Sequence, residues 1–213
     1  MEGLEIDLDE VSEIVTDLRL HKQNSVFCNA EYETIIEVCG HSSLYDYIFD
    51  SPGKITAYSI LRLNQILYQF SPFPEVTGSF RQTNNLVLQS RFETSDYHEI
   101  SKQIGELDQE VQFLVNNAEN ISLSEFIDRA VRIHHRMTVI HPFSDGNGRV
   151  TRAFLNWLFK LRGLPPVYIK FENKQKYFDA LSEADTTKNF NSLVEVFYRE
   201  ILRSMYELNS KFI

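Results

Sequence analysis

One stretch of twelve residues places the strongest constraint on this chain. Residues 141–152 read HPFSDGNGRVTR, and they lie between two segments whose apolar residues recur at helical spacing. This stretch contains a histidine, an aspartate, two glycines, an asparagine and two arginines. None of these residues extends the apolar face of either segment. A polar loop between two apolar helices indicates a site that the two helices position.

The limits of this loop follow from backbone preferences. Pro142 disfavours helical dihedral angles at the residue before it, so the preceding helix should end near Ile140. Residues 145–148 (Asp-Gly-Asn-Gly) can adopt the positive φ angles that a tight loop needs. The next helix is therefore expected to begin between Asn147 and Arg149.

The residue types in the loop favour phosphate chemistry. A helix start presents unpaired N–H groups and a positive dipole end, which together bind anions. Arg149 and Arg152 are three residues apart, fall on one side of the new helix, and carry guanidinium groups that suit phosphate oxygens. Asp145 offers a hard oxygen ligand for Mg²⁺, and His141 is a candidate general base. Polyphosphate binding, magnesium and proton transfer are thus predicted in one loop.

The rest of the chain predicts one mostly helical domain with one small hairpin. Helical spacing is clear in residues 54–70, 122–140, 149–163, 173–184 and 191–208, and weaker in residues 11–22, 30–39 and 42–49. Residues 80–94 read FRQTNNLVLQSRFET, which is more typical of a short β-hairpin than of a helix.

Composition narrows the function classes. A formal net charge of −9 over 213 residues argues against general nucleic-acid binding, which needs a basic surface. No apolar run approaches the ~18 residues of a membrane-spanning helix, so no membrane partner is expected. Two cysteines do not form a disulfide framework, and the acidic start MEGLEIDLDE has no signal-peptide pattern. We expect a cytoplasmic protein, with secretion as an effector left open.

The loop resembles the full motif of the Fic family, His-Pro-Phe-x-Asp/Glu-Gly-Asn-Gly-Arg-x-x-Arg, at every fixed position. GSFRQTNNLVL resembles the family's Gly-x-x-Arg segment before its flap, and AVRIHHRMTVIHPF resembles the helix before the loop. LRGLPPVYIKFENKQKYFDAL resembles the usual continuation. The resemblance implies an all-α, Fic-type helical domain with a small β-hairpin flap over residues 54–205. An N-terminal helical extension, residues 1–53, would pack on this core, and residues 206–213 would form a tail.

Most Fic proteins transfer AMP from ATP to a hydroxyl of a target protein, so the resemblance implies a protein adenylyltransferase that uses ATP and Mg²⁺ or Mn²⁺. In that role His141 deprotonates the target Ser, Thr or Tyr, Asp145 holds the metal, and Phe143 anchors the loop in the core. The implied nucleotide-binding residues are Phe143, Gly146, Asn147, Gly148, Arg149 and Arg152. The target protein would dock on a flap segment made of Asn84, Asn85, Leu86, Val87 and Leu88.

Two further questions stay open at this point. Some Fic proteins transfer UMP, phosphate or phosphocholine instead of AMP, although Gly148 favours AMP transfer over phosphate transfer. A non-catalytic nucleotide-binding scaffold is a further alternative. Many Fic proteins are restrained by a glutamate within Ser/Thr-x-x-x-Glu-Gly/Asn, and no segment here matches that pattern. Either a separate antitoxin-like partner restrains the enzyme or regulation differs. Without a restraint in the chain, the purified protein is expected to label itself with ATP.

Overall fold

The computed structural model describes residues 8–19, 32–50, 53–71, 77–85 and 94–210, and the regular structure in these ranges is entirely helical. In chain order the α-helices are α1 (Leu8–Arg19), α2 (Tyr32–Asp50), α3 (Ser59–Leu67), α4 (Ile100–Asn116), α5 (Leu123–Ile140), α6 (Asn147–Lys160), α7 (Lys174–Thr187) and α8 (Asn191–Ser210). Short 3₁₀ turns at Tyr97–Glu99 and Phe171–Asn173 precede α4 and α7. None of the described helices is both long and apolar enough to cross a membrane.

Helices α5 and α6 form the centre of the bundle and pack against each other. Helices α4 and α8 pack on α5, while α2 and α3 pack on α6. The residues of α5 that face this core recur every three or four positions, as the sequence predicts: Phe126, Ala130, Ile133, Met137 and Ile140. Because both central helices are buried, the loop that joins them is held at both ends by the core.

The ends of α5 confirm the predicted limits of the loop. Ser122 caps the start of α5, where its hydroxyl accepts a hydrogen bond from the Glu125 N–H at 3.1 Å, a contact that typically stabilises a helix by about 1 kcal/mol. The helix ends at Ile140, and His141 takes left-handed dihedral angles with φ 50°. Helix α6 begins at Asn147, within the predicted interval.

The N-terminal residues contribute to the same core. The two weaker candidates at 30–39 and 42–49 are one continuous helix, α2, from which Leu44 and Ile48 are completely buried in the main core. Helix α1 packs on α2 around a small second cluster formed by Ile14, Val38 and Cys39. The division of the chain at residues 53 and 205 stays a prediction.

The predicted β-hairpin is wrong. No strand is present in the described parts of residues 80–94, which are 80–85 and 94, and Leu86, Val87 and Leu88 lie outside the described residues. In residues 80–85 the backbone forms hydrogen bonds with partners other than a second strand. The Arg81 N–H donates to the Pro142 carbonyl at 2.9 Å, and the Arg81 side chain donates to the Thr83 and Ser95 carbonyls.

Candidate functional site

Asn147 holds the loop between α5 and α6 in shape. Its side-chain oxygen accepts a hydrogen bond from the Phe143 N–H, and its amide donates to the Phe143 carbonyl, both at 2.8 Å. Phe143 is buried and packs against Phe80, with ring centroids 6.3 Å apart. The predicted core anchor is therefore in the core, and the Asn147 side chain is occupied in folding the loop.

Gly146 allows the chain to turn into α6. Its φ of 76° favours glycine, and a Cβ added there would lie 2.9 Å from Tyr68 Cε2 and 3.0 Å from Leu67 Cδ2. Both the dihedral angle and the close approach of α3 therefore exclude a larger residue. The turn places Gly148 in the first turn of α6, where a helix has N–H groups without partners inside the helix.

Four polar side chains form a chain of contacts at the start of α6. The Tyr68 hydroxyl donates to Asp145 Oδ2 at 2.5 Å and accepts from Arg149 Nη2 at 2.9 Å. Arg149 also contacts Asp145 at 3.2 Å and forms an ion pair with Glu37 of α2. The Arg149 side chain is 7% exposed and that of Asp145 is 76% exposed. A buried cation therefore lies behind a carboxylate that faces solvent.

These contacts keep Asp145 ionised. Burial would raise the pKa of Asp145, but the hydrogen bonds from Tyr68 and the Gly146 N–H, together with the charge of Arg149, lower it. Burial likewise opposes the charge on Arg149, and the nearby Tyr68, Glu37 and Asp145 nevertheless raise its pKa. An ionised, exposed carboxylate is a suitable ligand for a divalent cation that takes its other ligands from water or phosphate.

A cavity of about 280 Å³ opens beside the two motif arginines. It is lined by His41, Tyr45, Arg149, Arg152, Val167, Tyr168, Ile169, Phe171, Lys174, Tyr177 and Phe178. Cations and aromatic rings therefore line the same space. A cavity of this kind suits a ligand with a flat ring and a polyanionic chain.

Buried polar contacts fix the walls of this cavity. Asn156 of α6 donates to the Tyr45 hydroxyl and the Val167 carbonyl at 2.9 Å and accepts from the Val167 N–H at 2.8 Å. His134 Nε2 lies 2.9 Å from the Tyr177 hydroxyl. Burial, and then the charge of Arg152, lowers the pKa of His134 to about 3 and that of His41 to about 4. Both histidines are therefore neutral at physiological pH. The positive charge of the cavity comes from its arginines and Lys174.

The flap segment begins next to the loop. Asn85 Nδ2 lies 3.3 Å from both the Phe143 and Ser144 carbonyls. Arg81 Nε donates to the His141 carbonyl at 2.8 Å. The structure thus brings Asn85 to the same loop as His141, whereas Asn84 contacts Arg81, Asp96 and Tyr97.

Several residues of this site were missed by the sequence interpretation. Glu37, His41 and Tyr45 come from α2, which no motif linked to the loop, and Tyr68 directly follows α3. Glu37 is followed by Val38, and the residue four positions before it is Glu33. It therefore does not match the Ser/Thr-x-x-x-Glu-Gly/Asn pattern of the family resemblance. The spacing of Glu37, His41 and Tyr45 at intervals of four was the available signal, since it places them on one face of a helix.

The sequence of residues 54–159 matches the family model described as the Fic/DOC family. The chain belongs to this family. Over 69 residues it is 42% identical to a protein adenylyltransferase Fic of Culex quinquefasciatus, and over 75 residues it is 37% identical to a probable protein adenylyltransferase of Aquifex aeolicus. These alignments cover 32% and 35% of the chain, but only 14% and 23% of the two relatives. The chain thus spans a minor part of the Fic relatives that it matches.

Solved structures share the Fic fold over most of the chain. Fic-1 of Caenorhabditis elegans (residues 134–508) superposes with a TM-score of 0.75 at 20% identity, and covers 99% of this chain and 61% of its own. The BepC protein of Bartonella tribocorum, solved with bound AMPPNP, superposes with a TM-score of 0.67 at 20% identity. This superposition covers 79% of this chain and 85% of the BepC chain. The first of these superpositions therefore includes described residues outside 54–159.

Proposed function

We propose that this Fic domain transfers AMP from ATP to a hydroxyl group of a target protein and releases pyrophosphate. The observation that carries the proposal is the meeting of His141, Asp145 and Arg149 around one loop, beside a cavity lined by cations and aromatic rings. The relatives described as protein adenylyltransferases support the same reaction. Catalysis would rest on positioning and on electrostatic stabilisation, as in other phosphoryl transfers.

We propose that the nucleoside of ATP enters the cavity and that its phosphates extend towards the start of α6. Tyr177 and Phe178 offer aromatic surfaces for a base, while Arg149 and Arg152 lie on the same cavity. The N–H groups of the first turn of α6, including that of Gly148, would bind phosphate oxygens. BepC of Bartonella tribocorum was solved with AMPPNP, an ATP analogue, which supports this choice of ligand.

Asp145 is the proposed ligand for Mg²⁺ or Mn²⁺. No cluster of three or more metal-binding side chains occurs among the described residues, and Asp145 is the carboxylate that the loop offers. A single ionised carboxylate beside a polyphosphate site fits Mg²⁺, which commonly keeps several waters and takes substrate phosphates as ligands. When bound, the metal would neutralise charge on the phosphates.

His141 is the proposed general base. A ring nitrogen of His141 would take the proton of the target hydroxyl while the hydroxyl oxygen forms a bond to the α-phosphorus. The bond from that phosphorus to the bridging oxygen breaks, and pyrophosphate leaves with the electron pair. Residues 84–88 would contact the target polypeptide next to this hydroxyl, since Asn85 lies at the loop.

The decisive experiment measures the transferred group directly. Purified protein and a cell lysate are incubated with Mg²⁺ and labelled ATP, UTP or CDP-choline, and the modified proteins are analysed by mass spectrometry. We expect a mass increase of one AMP group with ATP, and none from the other two donors. His141→Ala should abolish transfer and leave ATP affinity within about threefold, because His141 acts on the hydroxyl and not on the phosphates.

Transfer of UMP, phosphate or phosphocholine in that experiment would replace AMP as the transferred group. ATP binding without transfer from any donor would indicate a nucleotide-binding scaffold. Near-normal activity of the His141→Ala variant would remove His141 from the mechanism.

A further inference from the structure

Arg81 is a buried cation that contacts four separate backbone positions. Only 4% of the residue is exposed. Its Nε donates to the His141 carbonyl at 2.8 Å, one terminal nitrogen donates to the Thr83 carbonyl at 2.6 Å, and the other donates to the Ser95 carbonyl. Its own N–H donates to the Pro142 carbonyl at 2.9 Å. One side chain thus joins the end of α5 to residues on both sides of the flap segment.

These contacts are not those of a structural ion pair. Three of the partners of the guanidinium are neutral carbonyls, and the charged group that influences Arg81 is the exposed Asp96. Burial lowers the pKa of Arg81, while the charge of Asp96 acts in the opposite direction. A planar group with five donors in fixed directions can satisfy carbonyls in three directions, whereas an ammonium group cannot match that geometry.

The polypeptide on either side of the flap segment is tied together around Arg81. Asn84 Oδ1 accepts from the Tyr97 N–H at 2.9 Å, and Asn84 Nδ2 lies 3.2 Å from Asp96 Oδ2. The Thr94 hydroxyl donates to the Asn85 carbonyl at 2.9 Å. These bonds fix residues 83–85 against residues 94–97. Asn85 also reaches the Phe143 and Ser144 carbonyls, and the Ser95 N–H donates to the Val139 carbonyl at 3.2 Å. Arg81 adds the bond to the carbonyl of His141 itself.

The hydrogen bond from Arg81 to His141 is important because of the backbone conformation of His141. His141 takes left-handed dihedral angles, which cost a non-glycine residue about 1 kcal/mol or more unless its surroundings compensate. Its N–H is held by the Met137 carbonyl at 3.0 Å, and its carbonyl is held by Arg81. The carbonyl of His141 is therefore held by the same side chain that holds the start of the flap segment.

We propose that Arg81 is a positioning residue that couples His141 to the polypeptide-docking segment, so that the base and the incoming hydroxyl are aligned by one group. The inference rests on the proposed transfer reaction. Arg81 would touch neither ATP nor the target. Its effect would be on the alignment of the base with a polypeptide hydroxyl and not on nucleotide binding.

The test compares Arg81→Lys with Arg162→Lys. Arg162 is a matched control, because its guanidinium also binds two backbone carbonyls, those of Ala118 and Ile121, away from the loop. Arg81→Gln is measured beside them, so that failure of one variant to fold leaves the test in place. With labelled ATP and Mg²⁺, two rates are recorded for each protein: label incorporated into the protein itself, and AMP released to water.

For Arg81→Lys we expect the ratio of protein labelling to AMP release to fall at least about fivefold, with ATP affinity within about twofold of the unmodified protein. Arg162→Lys should leave the ratio unchanged. An unchanged ratio in both Arg81 variants would overturn the proposal. An equal loss of ATP affinity in folded variants would also overturn it, because Arg81 would then act on nucleotide binding and not on alignment.

Hydrogen exchange provides a readout that needs no activity. If Arg81 couples the two regions, the amides of His141 and Ser95 should exchange faster together in Arg81→Lys, by about tenfold or more, and remain unchanged in Arg162→Lys. Faster exchange at only one of the two amides would overturn the coupling. An unmodified protein that transfers nothing from ATP would instead contradict the proposed function, and the exchange result would still decide the role of Arg81.

Discussion

Glu37 of α2 forms an ion pair with Arg149, the first arginine of the loop motif, although 112 residues separate them in sequence. The Glu37 side chain is 27% exposed, and its second oxygen is buried without a hydrogen-bond partner among the described residues. A carboxylate is therefore paired with the guanidinium group that, in the proposed mechanism, binds phosphate. The sequence interpretation did not link Glu37 to either motif arginine, and its expectation that no inhibitory motif is present stays a prediction.

Replacement of Glu37 should strengthen ATP binding. In Glu37→Gln the negative charge that competes with phosphate for Arg149 is removed, so we expect ATP affinity to rise about tenfold, or ~1.4 kcal/mol, and self-labelling to become faster. Calorimetric titration with ATP and the rate of self-labelling measure the two effects. The control is Glu125→Gln, which removes an exposed partner of Arg129 on α5. Equal ATP affinity in Glu37→Gln and the unmodified protein would show that the pair does not compete with nucleotide.

Most of the local features of the loop could be predicted because they depend on neighbouring residues. Pro142 ends one helix, Gly146 permits the turn, and Asn147 begins the next, and each effect acts within a few residues. Helix α4 was missed although Ile100, Ile104, Leu107, Val111 and Leu114 recur at intervals of three and four. That omission was an error of interpretation and not a limit of the sequence.

Other features could not be predicted from local rules. The contact of Tyr68 with Asp145, and that of Glu37 with Arg149, depend on how α3 and α2 pack on α6. The hairpin was predicted from residue types and from the family resemblance. In the described residues 80–85, Arg81 instead forms hydrogen bonds to the Thr83, Ser95 and Pro142 carbonyls, and these partners could not be predicted from local β preference.

Arg152 should act on the outer phosphates of ATP. Because Arg152 lies on the cavity together with Arg149, we expect Arg152→Ala to weaken ATP binding about tenfold and AMP binding less than about threefold. Calorimetry with ATP, ADP and AMP measures the difference. Arg132→Ala, which removes an exposed partner of Asp128, serves as the control. Equal losses for ATP and AMP would place Arg152 nearer to the α-phosphate.

Gly146 and Gly163 provide a comparison of two positive φ angles. A Cβ at Gly146 would meet Tyr68 and Leu67 within about 3 Å, whereas a Cβ at Gly163, with φ 62°, would meet no atom within 4 Å. Gly163→Ala should therefore lower the free energy of unfolding by about 1 kcal/mol, the cost of backbone strain. Gly146→Ala should cost about 1–3 kcal/mol more, because Tyr68 must also move.

The same pair distinguishes stability from function. Displacement of Tyr68 removes its contacts with Asp145 and Arg149, so Gly146→Ala should also weaken ATP binding, while Gly163→Ala should not. Chemical denaturation and ATP titration of both variants give the four values. A Gly146→Ala variant as stable as Gly163→Ala would contradict the close packing of α3 on the loop.

His134 should make the stability of the fold depend on pH. The side chain is fully buried beside Tyr177, and burial, followed by the charge of Arg152, lowers its pKa from 6.5 to about 3, although the Thr151 carbonyl acts in the opposite direction. Below about pH 6.5 the unfolded chain binds a proton at this position that the folded protein does not bind. The free energy of unfolding should therefore fall as the pH drops from 6.5 towards 3, and His134 should account for about 1 kcal/mol of the loss between pH 7.5 and 5.5.

Urea denaturation of the His134→Gln variant at several pH values measures this contribution. Gln is neutral throughout, so the variant should be less stable at neutral pH but should lose about 1 kcal/mol less than the unmodified protein between pH 7.5 and 5.5. His98→Gln, at an exposed position, is the control and should keep the full pH dependence. If His134→Gln and the unmodified protein lose the same free energy over this interval, the buried imidazole is not the group that takes up the proton on unfolding.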